Sequence, residues 1–359
     1  MASVTSLQSA WSILTELDVS ELRESLRAPF PVVILGRDAD ARQRLSDALH
    51  TDPFDHTLLP PGPHTSIFPL PLTSEQRLIS ARSRLAFIAI PAGQADLALE
   101  RETIRDLLGL NPRLPIVVVQ IRPGAAQERY TPLLGHWFGA TEIVLDPEER
   151  TPFDAELIPL LKRLAPDQDV LLGYHFPGLR PALAKQLIRQ TSLANAGYAA
   201  ATGVAELIPL FLIPGNVADF VILTKNQALM AYKLALLMGN DIGVQEMIGE
   251  LAGVLGGGFL FRETARRLVG FIPGWGLVPK VAVAYAGTYL IGEAAYIWYA
   301  YHEKLTPAQM RAMYARGMAE GKAKAAGVIE KARRGNDAAL PPESGVERPT
   351  AGPADAHPS

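Results

Sequence analysis

Apolar residues fall along this chain in two different rhythms. Up to about residue 166, short aliphatic runs alternate with longer stretches of helical periodicity. The runs "PVVILG" (31–36), "RLAFIAIP" (84–91), "LPIVVVQI" (114–121) and "ATEIVLD" (140–146) are nearly continuous in Val, Ile and Leu, the pattern of strands covered on both faces. Between them, "DADARQRLSDALH" and "QADLALERETIRDLLGL" place apolar residues at helical spacing. Strands alternating with helices predict an α/β fold with a mainly parallel sheet and flanking helices. The proline-rich "LLPPGPHTSIFPLPL" (58–72) cannot be an interior strand through most of its length, because proline lacks the ladder donor. It reads as a surface loop or a sheet edge.

From residue 174 to 304 the rhythm becomes helical and strongly apolar, which predicts an all-α domain after the α/β one. Before the first strand, Leu7, Trp11, Leu14 and Leu17 sit at helical spacing. The implied division is a helical segment (1–28), an α/β domain (29–166), an apolar helical domain (174–304), a polar helix (305–334) and a tail (335–359). Thr306 followed by Pro307 predicts an N-cap and first helical position for the polar helix. The Pro-, Ala- and Gly-rich tail predicts disorder.

Composition narrows the function classes. Of 359 residues, 48% are hydrophobic and 20% charged, with a net charge of -3. That balance predicts no general attraction to nucleic acid. The chain has no cysteine, which excludes disulfides, thiolate catalysis and thiolate-bound metal. No basic segment leading into an apolar core marks the first residues as a secretory signal, so a cytoplasmic location is expected. His50, His56, His64, His136, His175 and His302 are not at metal-ligand spacing, and no Gly-x-Ser-x-Gly elbow occurs. No catalytic residue and no metal ligand is assigned. Asn195 and Asp219, polar residues in apolar helices, read as helix-to-helix hydrogen-bonding groups.

The stretch "PVVILGRDADARQRLSDALH" (31–50) has the outline of a phosphate-binding loop: strand, glycine, spacer, helix. Such a loop needs glycines to wrap a phosphate, a lysine to neutralise it and a hydroxyl for magnesium. Here Gly36 keeps the first turn, while Ala41, Arg42 and Gln43 stand at the Gly-Lys-Ser positions. Asp38 and Asp40 bring carboxylates where a triphosphate would lie, opposing it by about a kcal/mol or more each; as acidic residues at a helix start they also read simply as favouring the helix dipole. These are degenerate cofactor positions. No cofactor is expected, with GTP and magnesium as the alternative.

This order of elements, over residues 30 to 165, resembles the small GTPase domain of the Era and EngA type. The resemblance implies an Asp-x-x-Gly motif after the second buried strand and Asn-Lys-x-Asp after the next. The chain has "AIPAG", with Ala89, Ile90 or Pro91 near the Asp position and Gly93 for the glycine. It then has "VVVQIRPG", with Gln120, Ile121 and Pro123 in place of Asn, Lys and Asp. Phosphate neutralisation, magnesium ligation and base readout are all eroded, the pattern of a pseudo-GTPase. Residues 190–302, with Pro214, Asp219, Gly256–Gly258 and "RETARRLVGFIPGWG", look like the helical domain of unknown function found after such GTPases and in YcjF-type membrane proteins. That resemblance implies a helical, often membrane-associated module.

Residues 281–301 are the best candidate for a membrane span. Val281 begins it, Tyr296, Trp298, Tyr299 and Tyr301 cluster at its end, and Ala282 and Ala286 form a small-xxx-small pair suited to close helix contact. Glu293 inside it needs a partner, and a soluble helical bundle is the competing reading. Arg262, Arg266 and Arg267 read as a solvated face or as contacts to anionic headgroups. The expected function is a non-catalytic interaction or scaffold protein at the cytoplasmic face of a membrane. Its partners would be a lipid surface or membrane protein and an unidentified protein, with no nucleic acid. The alternatives are an atypical NTPase completed by a partner and a wholly soluble scaffold.

Overall fold

The computed structural model describes residues 19–122, 137–146, 153–205, 215–254 and 277–339. After helix α1 (Ser20–Arg27), the chain alternates β1 (Val32–Gly36), α2 (Ala39–His50), β2 (Thr65–Pro69), α3 (Ser74–Ala81), β3 (Leu85–Pro91), α4 (Ala98–Leu110), β4 (Ile116–Ile121) and β5 (Thr141–Leu145). The five strands pair in parallel in the order β2-β1-β3-β4-β5. The expected parallel α/β sheet with flanking helices is present, and the proline-rich stretch supplies its edge, β2. With β2 and β3 on opposite sides of β1, the order is the flavodoxin-like one of doubly wound sheets.

Alternation along the strands splits the core in two. Val32, Ile34, Leu85, Phe87, Val117 and Val119 point to one face. Val33, Leu35, Ala86, Ile88, Ile116 and Val118 point to the other, under α3 and α4. Both faces are covered, which is why the strands read as continuous apolar runs.

The helical part comprises α5 (Ile158–Leu164), entered through a π-helical turn (Phe153–Leu157), then α6 (Asp169–His175) and a 3-10 turn (Pro177–Leu179). Next come α7 (Arg180–Ala205), α8 (Gly215–Leu237), α9 (Val244–Val254), α10 (Leu277–Tyr301) and α11 (Pro307–Ala339). It packs on the first sheet face: one buried cluster runs unbroken from Phe30 and Val32 through Leu172 and Leu187 to Tyr232 and Tyr299. Gly178 lies so close to α2 that a Cβ there would stand 2.0 Å from the Ala48 carbonyl oxygen. The α/β and helical parts therefore share a core.

Local signals set the helix ends. Thr73 and Gln76 form a capping box on α3. The Thr306 N–H donates to Gln309 Oε1 at 2.8 Å and the Gln309 N–H to Thr306 Oγ1 at 3.3 Å, so the expected cap with Pro307 behind it is present. Helix α11 continues past Arg334 to Ala339, further than the tail reading allowed.

Candidate functional site

Doubly wound sheets bind ligands beyond the carboxyl ends of their strands, where the strand order reverses. Here that point lies between β1 and β3, where β1 ends at Gly36. Helix α2 begins at Ala39, so the residues expected to wrap a phosphate form the first helical turn, and only Arg37 and Asp38 separate strand from helix.

Asp38 explains the early start. It is the N-cap of α2, and its Oδ1 accepts the Ala41 N–H at 2.7 Å. An internal carboxylate thus takes the anion position that helix amides offer. Ala41 is buried and packs in the core. Arg42 folds back, donating from Nη1 to the Gly36 carbonyl and, at 3.0 Å, to that of Arg37. Gln43 donates to Asp47 Oδ1 at 2.7 Å along the exposed helix face. Gly36 is required by packing, because a Cβ there would lie 2.3 Å from the Ala89 carbonyl oxygen.

A group that sequence reasoning missed closes the crevice. Arg37 reaches from the end of β1 to α4 and holds Glu100 by two bonds, Nε to Oε1 at 2.9 Å and Nη2 to Oε2 at 3.0 Å. Its Nη1 donates to Asp96 Oδ2 at 3.1 Å. The Glu100 side chain is 0% exposed and also accepts from Gln94 Nε2 at 3.1 Å. The Ala98 N–H, and after it Arg37, hold Asp96 below the ordinary carboxylate value. The signal was present: Glu100 lies on the face of α4 that buries Thr103, Ile104 and Leu107, where a lone carboxylate demands a partner.

The remaining motif positions are spent on structure. Ala89 and Ile90 are buried in β3, and Gly93 follows with φ of 84°. Gln120 is buried on β4 and donates its amide to Glu142 of β5. Ile121 is a core residue, and Pro123 lies outside the described residues.

Among the described residues no helix is long and apolar enough to cross a membrane. The segment 281–301, expected as the best span, is α10, and its apolar surface is used within the protein. Val281 is buried against Ala196, Ala200 and Ala325. Trp298 donates to Glu250 Oε2 at 3.2 Å. Tyr296 and Tyr301 close on Phe54, with ring centroids 6.0 and 5.3 Å away, although Tyr301 stays 51% exposed. The aromatic end read as an interfacial belt is in part the seam with the α/β part. Glu293 has its partners in Tyr289, Arg316 and Lys185, and burial raises its pKa. Asn195 donates to Thr288 Oγ1 at 2.8 Å and accepts from Asn226 at 2.7 Å, the helix-to-helix role expected of it.

Sequence spacing gave no histidine cluster, yet the fold gathers three. His64 and His175 lie with ring centroids 5.6 Å apart, and His50 Nε2 is 3.4 Å from the hydroxyl of Thr65, beside His64. No group of His, Asp and Glu among the described residues is arranged to hold a metal ion. Asp219 lies in α8, but its side chain is outside the described set, as are His136, Pro214, Gly256–Gly258 and the arginines of "RETARR". Compared with known proteins, the chain matches no family model, no curated protein and no solved structure.

Proposed function

We propose that this chain is a non-catalytic interaction protein in which a doubly wound α/β unit has given up its ligand crevice to internal contacts. One observation carries the reading. The helix N-terminus that would cradle a phosphate is capped by Asp38, flanked by the inward-folded Arg42 and shut by the Arg37–Glu100 pair. A triphosphate would have to displace a capping carboxylate and compete for Arg37 with Glu100, whose side chain is fully buried.

The test is calorimetric titration of the full chain with GTP and ATP in the presence of magnesium. No saturable heat is expected. Micromolar binding lost on Arg42→Ala would establish the competing reading, an atypical NTPase.

Descent of the α/β unit from an Era/EngA-type GTPase rests on element order and the outline of residues 31–50. The strand order favours a second lineage, a flavodoxin-like sheet equally free of ligand duties. For the helical part we propose contact with a lipid surface or membrane protein on the cytoplasmic side. Two apolar connections support this: "ELIPLFLIP" (206–214) joins α7 to α8, and "GFLFRETARRLVGFIPGWG" (258–276) ends where α10 begins.

A further inference from the structure

We infer that the corner of the sheet where α3 and α4 end is a docking surface for an acidic amphipathic helix of a partner protein. The corner lies on the sheet face opposite the helical part, over the second core. Asn111 Nδ2 donates to the Ala81 carbonyl at 2.8 Å, which ties the end of α4 to the end of α3. That contact brings together three aliphatic side chains that the core does not take: Leu78 at 50%, Ile79 at 41% and Leu110 at 51% exposure.

Arginines frame them. Arg82 is the C-cap of α3. Arg84 and Arg113 precede the starts of β3 and β4, which are neighbours in register through Ala86 and Ile116. All three are exposed, and none makes an ion pair among the described residues. The two contributing stretches, "LISARSR" (78–84) and "GLNPRL" (109–114), hold three arginines and no acidic residue, whereas the whole chain is at -3. The local sign opposes the global one.

The surface also has depth. Between α3 and α4, one turn from Leu78 and Leu110, a cavity of about 110 Å³ is lined by Pro71, Leu72, Leu99 and Leu107 and spanned by Arg77 and Asp106, whose side chains are 3.5 Å apart. Glu102 and Thr103 complete its lining, so the cationic character belongs to the corner itself, where Leu78, Ile79 and Leu110 lie among Arg82, Arg84 and Arg113 and offer apolar anchors and cations to one face of a helix. Guanidinium forks suit carboxylates in a bidentate way. A lipid surface fits less well, since three arginines are fewer than the roughly four to eight cations typical of polybasic lipid sites.

The experiment displays a library of helical peptides, varied in charge and apolar spacing, to the full chain. The triple variant Arg82→Glu, Arg84→Glu, Arg113→Glu serves as counter-selection. Because these side chains are exposed, the variant should melt as the wild type does, and circular dichroism verifies this. Enriched peptides are expected to carry apolar residues at i, i+3 or i+4, and i+7, with Asp or Glu beside them. They should bind the variant about tenfold or more weakly, and Leu78→Ser with Leu110→Ser should weaken them on the intact cationic rim. No enrichment, peptides without acidic bias, or equal binding to the variant would overturn the proposal. So would flotation with phosphatidylserine vesicles that the triple variant loses, in the absence of any selected peptide.

Discussion

Arg180 donates from Nη1 to Asp52 Oδ2 at 2.8 Å, across 128 positions of sequence. It stands at the start of α7, and Asp52 follows α2, so the pair fastens the helical part to the α/β part. Both side chains are largely buried, 10% and 16% exposed. The Arg180 Nε donates to the Gly173 carbonyl at 3.1 Å, and Gly239, at φ of 89°, leaves room that a Cβ would take 2.8 Å from Nη2. Removing one partner of such a pair strands the other charge. Asp52→Ala or Arg180→Ala should each cost about 3–5 kcal/mol in urea unfolding, and Asp52→Leu with Arg180→Met should cost less than their sum. Additive losses would show that the two residues act separately.

Gly36 separates packing from ligand binding. A Cβ there meets the Ala89 carbonyl oxygen at 2.3 Å, main chain of the neighbouring strand that cannot swing aside. Gly36→Ala should therefore destabilise by about 1–3 kcal/mol as an overpacked core site does. Thermal melting reads the loss directly, and an unchanged melting temperature would return Gly36 to the role of a loop glycine.

How much of this was legible follows from what each residue depends on. The strands around Val32, Phe87 and Val118 were readable because burial on both faces leaves an unbroken aliphatic run. The Thr306 cap was readable because both of its partners lie within one turn. The start of α2 was legible in part: Asp38 and Asp40 suit a helix start through the dipole, but only the bond to the Ala41 N–H identifies Asp38 as the cap. The Arg37–Glu100 pair spans 63 positions, beyond any local pattern. Residues 281–301 misled for a related reason, since a helix apolar all round reads the same whether lipid or protein surrounds it.

Acid should loosen the seam at the histidines. Burial, and after it the nearness of His64, pulls the His175 pKa below its ordinary value of 6.5, and burial lowers His50 as well. Both groups then bind protons more readily in the unfolded chain. Their contribution to stability is present above pH 6.5 and is lost as pH falls toward their folded values. The unfolding free energy from urea titration should fall between pH 7 and pH 5. His175→Leu should flatten that slope, because Nε2 is buried without a hydrogen-bond partner. A slope unchanged in His175→Leu would place the acid sensitivity elsewhere.

The close approach of α11 to α10 gives a second packing test. The pair Ala282 and Ala286, read from sequence as a small-residue face, meets Gly321 and Gly317. A Cβ at Gly321 would lie 2.9 Å from Ala282 Cα and 3.0 Å from its carbonyl oxygen. Tyr285 adds a bond from its hydroxyl to Glu320 Oε2 at 2.8 Å. Gly321→Leu should separate the helices at a cost of about 1–3 kcal/mol and speed protease cleavage within α11. Gly327→Leu, where a Cβ meets nothing within 4 Å, is the matched control and should do neither.

Membrane contact, if it is made as proposed, has to come from surface other than α10. Val281 is 0% exposed, Tyr285 and Ala286 likewise, and Thr288 is held between Asn195 and Gln227. Lipid could reach these residues only by replacing α7, α8 and α11, which would forfeit buried area worth about 25 cal/mol per Å². The proposed contact lies instead in the apolar stretches 206–214 and 258–276. The chain bound to vesicles should accordingly be stripped by alkaline carbonate, as a peripheral protein is. Leu210→Ser with Phe211→Ser should abolish flotation while leaving Trp298 fluorescence unchanged. Resistance to carbonate in the wild type would mean that α10 leaves its bundle in lipid, and the peripheral reading would fall.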